Sequence, residues 1–157
     1  LKEYISTRIL RPILELLGKG ADPGKLSLAA TLGALIGVIP VPGISTGLAF
    51  AAGLAFRLNH VVLQALNYAV YPLQIILFPI FLKLGGILLG GDVMEFDAGM
   101  MGNELKASVP GFLSKYGWIS LKSIGVWFLF SLLIGIPLRY LLKNFFERLR
   151  KPEGGPG

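Results

Sequence analysis

Ser45, Thr46 and Arg57 are the residues of this chain best suited to chemistry, and the chemistry they suit is the holding of an anion. Ser45 and Thr46 directly follow Pro40-Val41-Pro42-Gly43, a run that no helix passes through intact. A hydroxyl there suits the N-cap of a second helix. Helix N-termini present free N–H groups and a positive dipole end to a phosphate or carboxylate. The backbone of Gly43 and Gly47 belongs to the same candidate site. The competing reading is that Ser45 and Thr46 only satisfy the end of their own helix, and both readings stand.

Asn59, Asn67, Tyr71 and Gln74 are the further hydrogen-bonding groups in or beside the apolar runs, together with Gln64. An amide left unpaired in hydrocarbon is costly, so these side chains should face protein or water, as interhelical glue or as substrate contacts. The cations bordering the same runs are Arg57 and Lys83, with His60 beside them. Either they attract an anionic ligand or they snorkel to an interface. No Asp or Glu lies between Asp22 and Asp92, so the apolar middle has no carboxylate for a proton relay or a paired-acid hydrolysis. The chain has no cysteine and one histidine, which excludes thiolate chemistry and a multi-histidine metal cage. No metal and no cofactor is expected, and a non-enzymatic role follows.

The elements that position these residues are membrane elements. Charged residues make up only 15% of the chain and mean hydropathy is +0.68, against about 25% charge in a soluble domain. Residues 26–56 carry no charge at all, too many for one crossing of about 20 residues. With the break at Pro40 and Pro42, the economical reading is a re-entrant hairpin over 26–57, with half-helices at 26–39 and 43–56. Non-helical backbone at that depth is tolerated only where protein or water covers it. Residues 1–18 place Ile5, Ile9, Ile13 and Leu17 at helical spacing and read as an amphipathic surface helix. Residues 61–90 form a membrane segment broken at Pro72, residues 91–117 an exposed loop with a short helix near 104–116, and residues 118–142 a transmembrane helix. A cytoplasmic tail completes the single domain over 143–157.

Ala29, Gly33 and Gly37 recur every four residues on the first half-helix, as Gly43, Gly47, Ala51 and Ala55 do on the second. Such stripes let helices approach closely in lipid. They fit a tight pairing of the two half-helices, or packing against the 61–90 segment or a second copy. Positive charge sets the topology: five Lys/Arg in residues 1–25 and five in 139–157, but two in 91–117. Both termini are therefore expected in the cytoplasm and the 91–117 loop outside. The net charge of +6 is topogenic in this reading, and no nucleic-acid partner is expected.

Gly33-x3-Gly37-x2-Pro40-x-Pro42-Gly43, then Arg57-Leu58-Asn59, Asn67-x3-Tyr71-Pro72-Leu73-Gln74, Pro79 and Lys83-Leu84-Gly85 resemble domain-of-unknown-function family 2062, bacterial integral membrane proteins, over roughly residues 8–150. Many relatives carry Asn-Pro-x-Thr at the second break, where this chain has Tyr71-Pro72-Leu73-Gln74. Some relatives are fused to glycosyltransferases that use polyprenyl-phosphate sugars, which implies a link to lipid-linked glycans. The architecture is also loosely similar to DedA-type (SNARE-associated) membrane proteins, some of which translocate lipid phosphates.

The expectation is thus an all-α protein of the bacterial inner membrane that recognises or translocates an anionic lipid of the polyprenyl-phosphate type. A homodimer is expected from the small size. The alternative is a non-catalytic scaffold or anchor for a glycosyltransferase or similar envelope-biogenesis partner.

Overall fold

The computed structural model describes residues 11–41, 43–89 and 98–150; these are helical almost throughout, with no strand among them. Of the N-terminal segment expected to be a surface helix, the described part is helical, as α1 (Arg11–Gly18), which buries Ile13 and Leu17; residues 1–10 lie outside the described residues, as do Pro42, residues 90–97 of the expected loop, and residues 151–157 of the tail.

The central helix is α2 (Pro23–Gly37). It begins three residues before the expected start, because Asp22 caps it by accepting from the Gly24 N–H at 2.9 Å and Pro23 takes the first helical position, where a missing N–H is harmless. Residues on every side of α2 are buried, from Leu26, Ser27 and Ala29 to Leu35 and Ile36, as expected of a helix apolar all round. It stops at Gly37, since Pro40 disfavours helical backbone in the residue before it.

After the break, α3 (Ser45–Ala55) returns along α2, and α4 (His60–Ala69) follows it. A Cβ on Gly33 would meet the Leu63 carbonyl oxygen at 2.2 Å, and one on Gly37 would meet the Val70 side chain at 2.4 Å and the Asn67 oxygen at 2.7 Å. Residue numbers rise together along this contact, so α2 and α4 run parallel with their backbones almost touching. The α2 stripe therefore packs against the 61–90 segment and not against α3. On α3, Ala51 and Ala55 are exposed, and a Cβ at Gly43 or Gly47 would meet nothing within 4 Å.

The 61–90 segment divides at Val70 into α4 and α5 (Tyr71–Leu89), whose second residue is Pro72 and whose interior holds Pro79. Then come α6 (Ala98–Ala107) and α7 (Val109–Leu149), 41 residues long. The expected exposed loop is thus helical over most of its described part. Ser108 caps α7 by accepting from the Gly111 N–H at 3.1 Å, with Pro110 in the first turn, and Lys115 pairs with Glu104 of α6 at 2.7 Å. At its far end α7 continues past Leu142, because Phe146 is buried with Ile13, Leu17 and Leu26. Between these ends α7 packs on α2 and α5, with Phe81 edge-on to Phe130 at 5.4 Å and Gly85 against Ser123.

Among the described residues two helices, α5 and α7, are long and apolar enough to cross a membrane. Only 28% and 17% of their apolar windows are buried inside the chain, so most of this apolar surface is turned outward, unlike the core helix of a soluble protein.

Candidate functional site

The α2–α3 break gathers most of the polar groups of the apolar middle. Gly43 turns the chain at φ +90°, a conformation that glycine adopts without steric cost. The N-cap of α3 is Ile44, in helical conformation and with no side-chain cap; Ser45 and Thr46 are first-turn residues and do not cap it. Helical geometry begins one residue before Ser45, which moves both hydroxyls past the capping position. The first turn of α3 thus has no side-chain cap among the described residues, beside an exposed Gly43, Thr46 and Gly47.

Amides from α4 and α5 satisfy the carbonyls of the break. Gln74 Nε2 donates to the Ile39 oxygen at 2.9 Å in a buried bond, and Gln64 Nε2 donates to the Thr46 oxygen at 3.2 Å. Asn67 is buried, donates to Gln64 Oε1 at 3.4 Å, and keeps its Oδ1 without a partner. Asn67 and Gln74 do not share one helix face, because α4 and α5 separate at Val70, yet both reach the end of α2. Tyr71 is 58% exposed, and Pro72 is exposed beside it.

Arg57 sits at the opposite end of α3. An 11-residue helix is about 16 Å long, so Arg57 does not join Ser45 and Thr46 in one site. The Leu58 N–H bonds to the Gly53 oxygen at 2.9 Å and the Arg57 N–H to the Leu54 oxygen at 3.3 Å. This is a Schellman motif with Arg57 where glycine is usual. Arg57 accordingly has φ +51°, the only positive φ of a non-glycine residue among the described residues, in a region that costs an L-residue about 1–2 kcal/mol. Its side chain is exposed and makes no ion pair among the described residues. Asn59, two residues on, caps α4 by accepting from the Val62 N–H at 3.1 Å, which gives it a local structural role. His60 lies over Gly53, where a Cβ would meet its ring at 2.4 Å, and against Phe50 at 5.1 Å.

Sequence reasoning missed one feature. A groove of about 310 Å³ runs between α2 and α7, with Leu28, Thr31 and Leu32 on one side and Trp127, Ser131 and Arg139 on the other. Trp127 Nε1 donates to the Leu35 oxygen at 2.8 Å across its floor. Thr31 and Ser131 were visible as lone hydroxyls in apolar runs, but no local signal pairs residues so far apart in the chain. No group of three or more His, Asp or Glu side chains able to hold a metal occurs among the described residues.

A family model described as "Uncharacterized protein conserved in bacteria (DUF2062)" matches residues 8–151. The chain belongs to this family. The seven helices among the described residues of this DUF2062 chain all fall within the match. No curated protein and no solved structure matches it.

Proposed function

We propose that this DUF2062 protein is a multi-pass protein of the bacterial inner membrane, both termini cytoplasmic, that recognises or translocates an anionic lipid of the polyprenyl-phosphate type. One observation carries the reading: Arg57 is kept in a conformation that glycine would adopt more cheaply, with no ion pair among the described residues. Residues held in costly backbone regions cluster at functional sites. The helices around it, α2 to α5, contain no carboxylate that could be its partner or a cation's.

In this reading α2 and α3 form the re-entrant pair. At 15 and 11 residues they measure about 22 Å and 16 Å, short of a hydrocarbon core of about 30 Å. The lipid phosphate meets Arg57 at the cytoplasmic mouth, and at the break the hydroxyls of Ser45 and Thr46 together with the 43–47 backbone. Asn67, Tyr71 and Gln74 line the path beside it. The apolar middle holds no carboxylate for a proton relay or a paired-acid hydrolysis, which favours binding or transport over catalysis. Proteoliposomes test it: Arg57→Gln and the Ser45→Ala/Thr46→Ala pair should each slow movement of a polyprenyl phosphate. Unchanged transport in both would reject the site.

A second reading, a non-catalytic scaffold for a glycosyltransferase or a homodimer, draws on the outward small face of α3, where Gly47, Ala51 and Ala55 leave room for another helix. Co-purification of a stable partner, with no lipid moved by the isolated protein, would favour it.

A further inference from the structure

We infer that the groove between α2 and α7 holds the hydrocarbon chain of a lipid phosphomonoester, with the phosphate on Arg139 and Lys143. The inference deepens the lipid reading above and rests on it, but it uses residues that reading does not.

The groove is an open seam between α2, which is buried on every side, and α7, which turns most of its apolar surface outward. Its volume of about 310 Å³ lies at the low end of small-molecule pockets, and its accessible wall is apolar. Thr31 Oγ1 and Ser131 Oγ, one from each helix, are buried along it with no hydrogen-bond partner.

The polar end of the groove is cationic. Arg139 and Ile136 line the groove and also a neighbouring cleft of about 340 Å³, completed by Tyr140 and Lys143. Arg139 makes no ion pair among the described residues. Lys143 lies 3.7 Å from Glu147, both half exposed, a contact of little strength in water. Arg139 and Lys143 are one helical turn apart, on one face of α7. An apolar groove ending at two cations has the pattern of an anionic amphiphile. Two cations match the near-dianionic charge of a phosphomonoester, and a single groove takes one chain where a diacyl lipid has two. With the termini cytoplasmic, Arg139 stands at headgroup level on that side.

Trp127 in the groove wall provides the readout. The chain has two tryptophans, so Trp118→Phe leaves Trp127 as the sole tryptophan, which is excited selectively over the tyrosines at the red edge of the absorption band. In proteoliposomes of this variant, a chain-brominated alkyl phosphate should quench Trp127 saturably, and unlabelled polyprenyl phosphate should reverse the quenching. A chain-brominated phosphocholine should need at least about tenfold more lipid, and Arg139→Gln/Lys143→Gln should abolish that difference. Leu32→Phe, which fills the groove away from the cations, should block quenching by the phosphate. Equal quenching by both lipids, or indifference to these variants, would overturn the inference. Native mass spectrometry of the unmodified chain separates the two failures. If it retains lipid phosphates while the groove variants change nothing, the groove assignment alone falls. If it retains none, the lipid reading falls with it.

Discussion

Helices α2 and α3 are consecutive, uncharged after Lys25 and striped with small residues at four-residue spacing, yet they meet opposite fates. Along α2 the stripe lies against the backbone of α4, so close that Gly33 and Gly37 leave no room for a methyl group. Along α3 the stripe faces outward and Gly47 touches nothing; the residues that α3 buries are Ala49 and Gly53. A small-xxx-small pattern therefore marks a surface able to take a close neighbour, and the rest of the chain decides whether one is present. Here the neighbour of α2 is the parallel α4, which leaves α3 half-buried, with a polar break at one end and, at the other, an arginine with no ion pair among the described residues.

The comparison breaks most sharply at the glycines. Gly33→Ala places a Cβ 2.2 Å from the Leu63 oxygen, a backbone atom that cannot swing aside. It should cost about 3 kcal/mol, at the upper end of overpacking effects, read as a fall in thermal midpoint in detergent. The same change at Gly47 should raise stability by about 0.5–1 kcal/mol, the helix preference of Ala over Gly. Equal effects at the two positions would mean that the stripes are equivalent after all.

The break itself is held by amides, and Gln74 is the buried one. Gln74→Leu would leave the Ile39 carbonyl unpaired and should cost about 1–3 kcal/mol. Gln64→Leu, which removes the more exposed bond to the Thr46 oxygen, should cost less; denaturation midpoints of the two variants rank them. At the other end of α3, Arg57→Gly should relieve the left-handed backbone and stabilise the fold by about 1 kcal/mol, while weakening retention of lipid phosphates by native mass spectrometry. A variant more stable and equally retentive would show that Arg57 is a bystander.

The break between α2 and α3 was legible in the sequence because Pro40, Pro42 and Gly43 act on their own backbone, whatever surrounds them. The division of 61–90 beside Pro72 was legible for the same reason. The partner of the α2 stripe was not, since Ala29-x3-Gly33-x3-Gly37 fits α3 and α4 equally well until tertiary contacts choose. Charge misled over 98–117: Glu104, Lys106 and Lys115 suggest a loop, but Ser108 and Pro110 start a helix that runs on for 41 residues. Of the candidate site, Gln74 and Asn67 do converge on the break. Asn59 proves to be a helix cap, and Arg57 lies a helix length from Ser45. The α2–α7 groove depends on residues about a hundred positions apart, which no local pattern links.

The central claim is that the α2–α3 break is a phosphate-binding tip reached from the cytoplasm. Thr46 is exposed there and the chain has no cysteine, so Thr46→Cys in oriented vesicles can be labelled with a membrane-impermeant thiol reagent from either side. Labelling from the cytoplasmic side alone, suppressed by polyprenyl phosphate, is the expected result. Labelling that ignores the lipid, or none from either side while a control cysteine at Lys106 reacts, would contradict it.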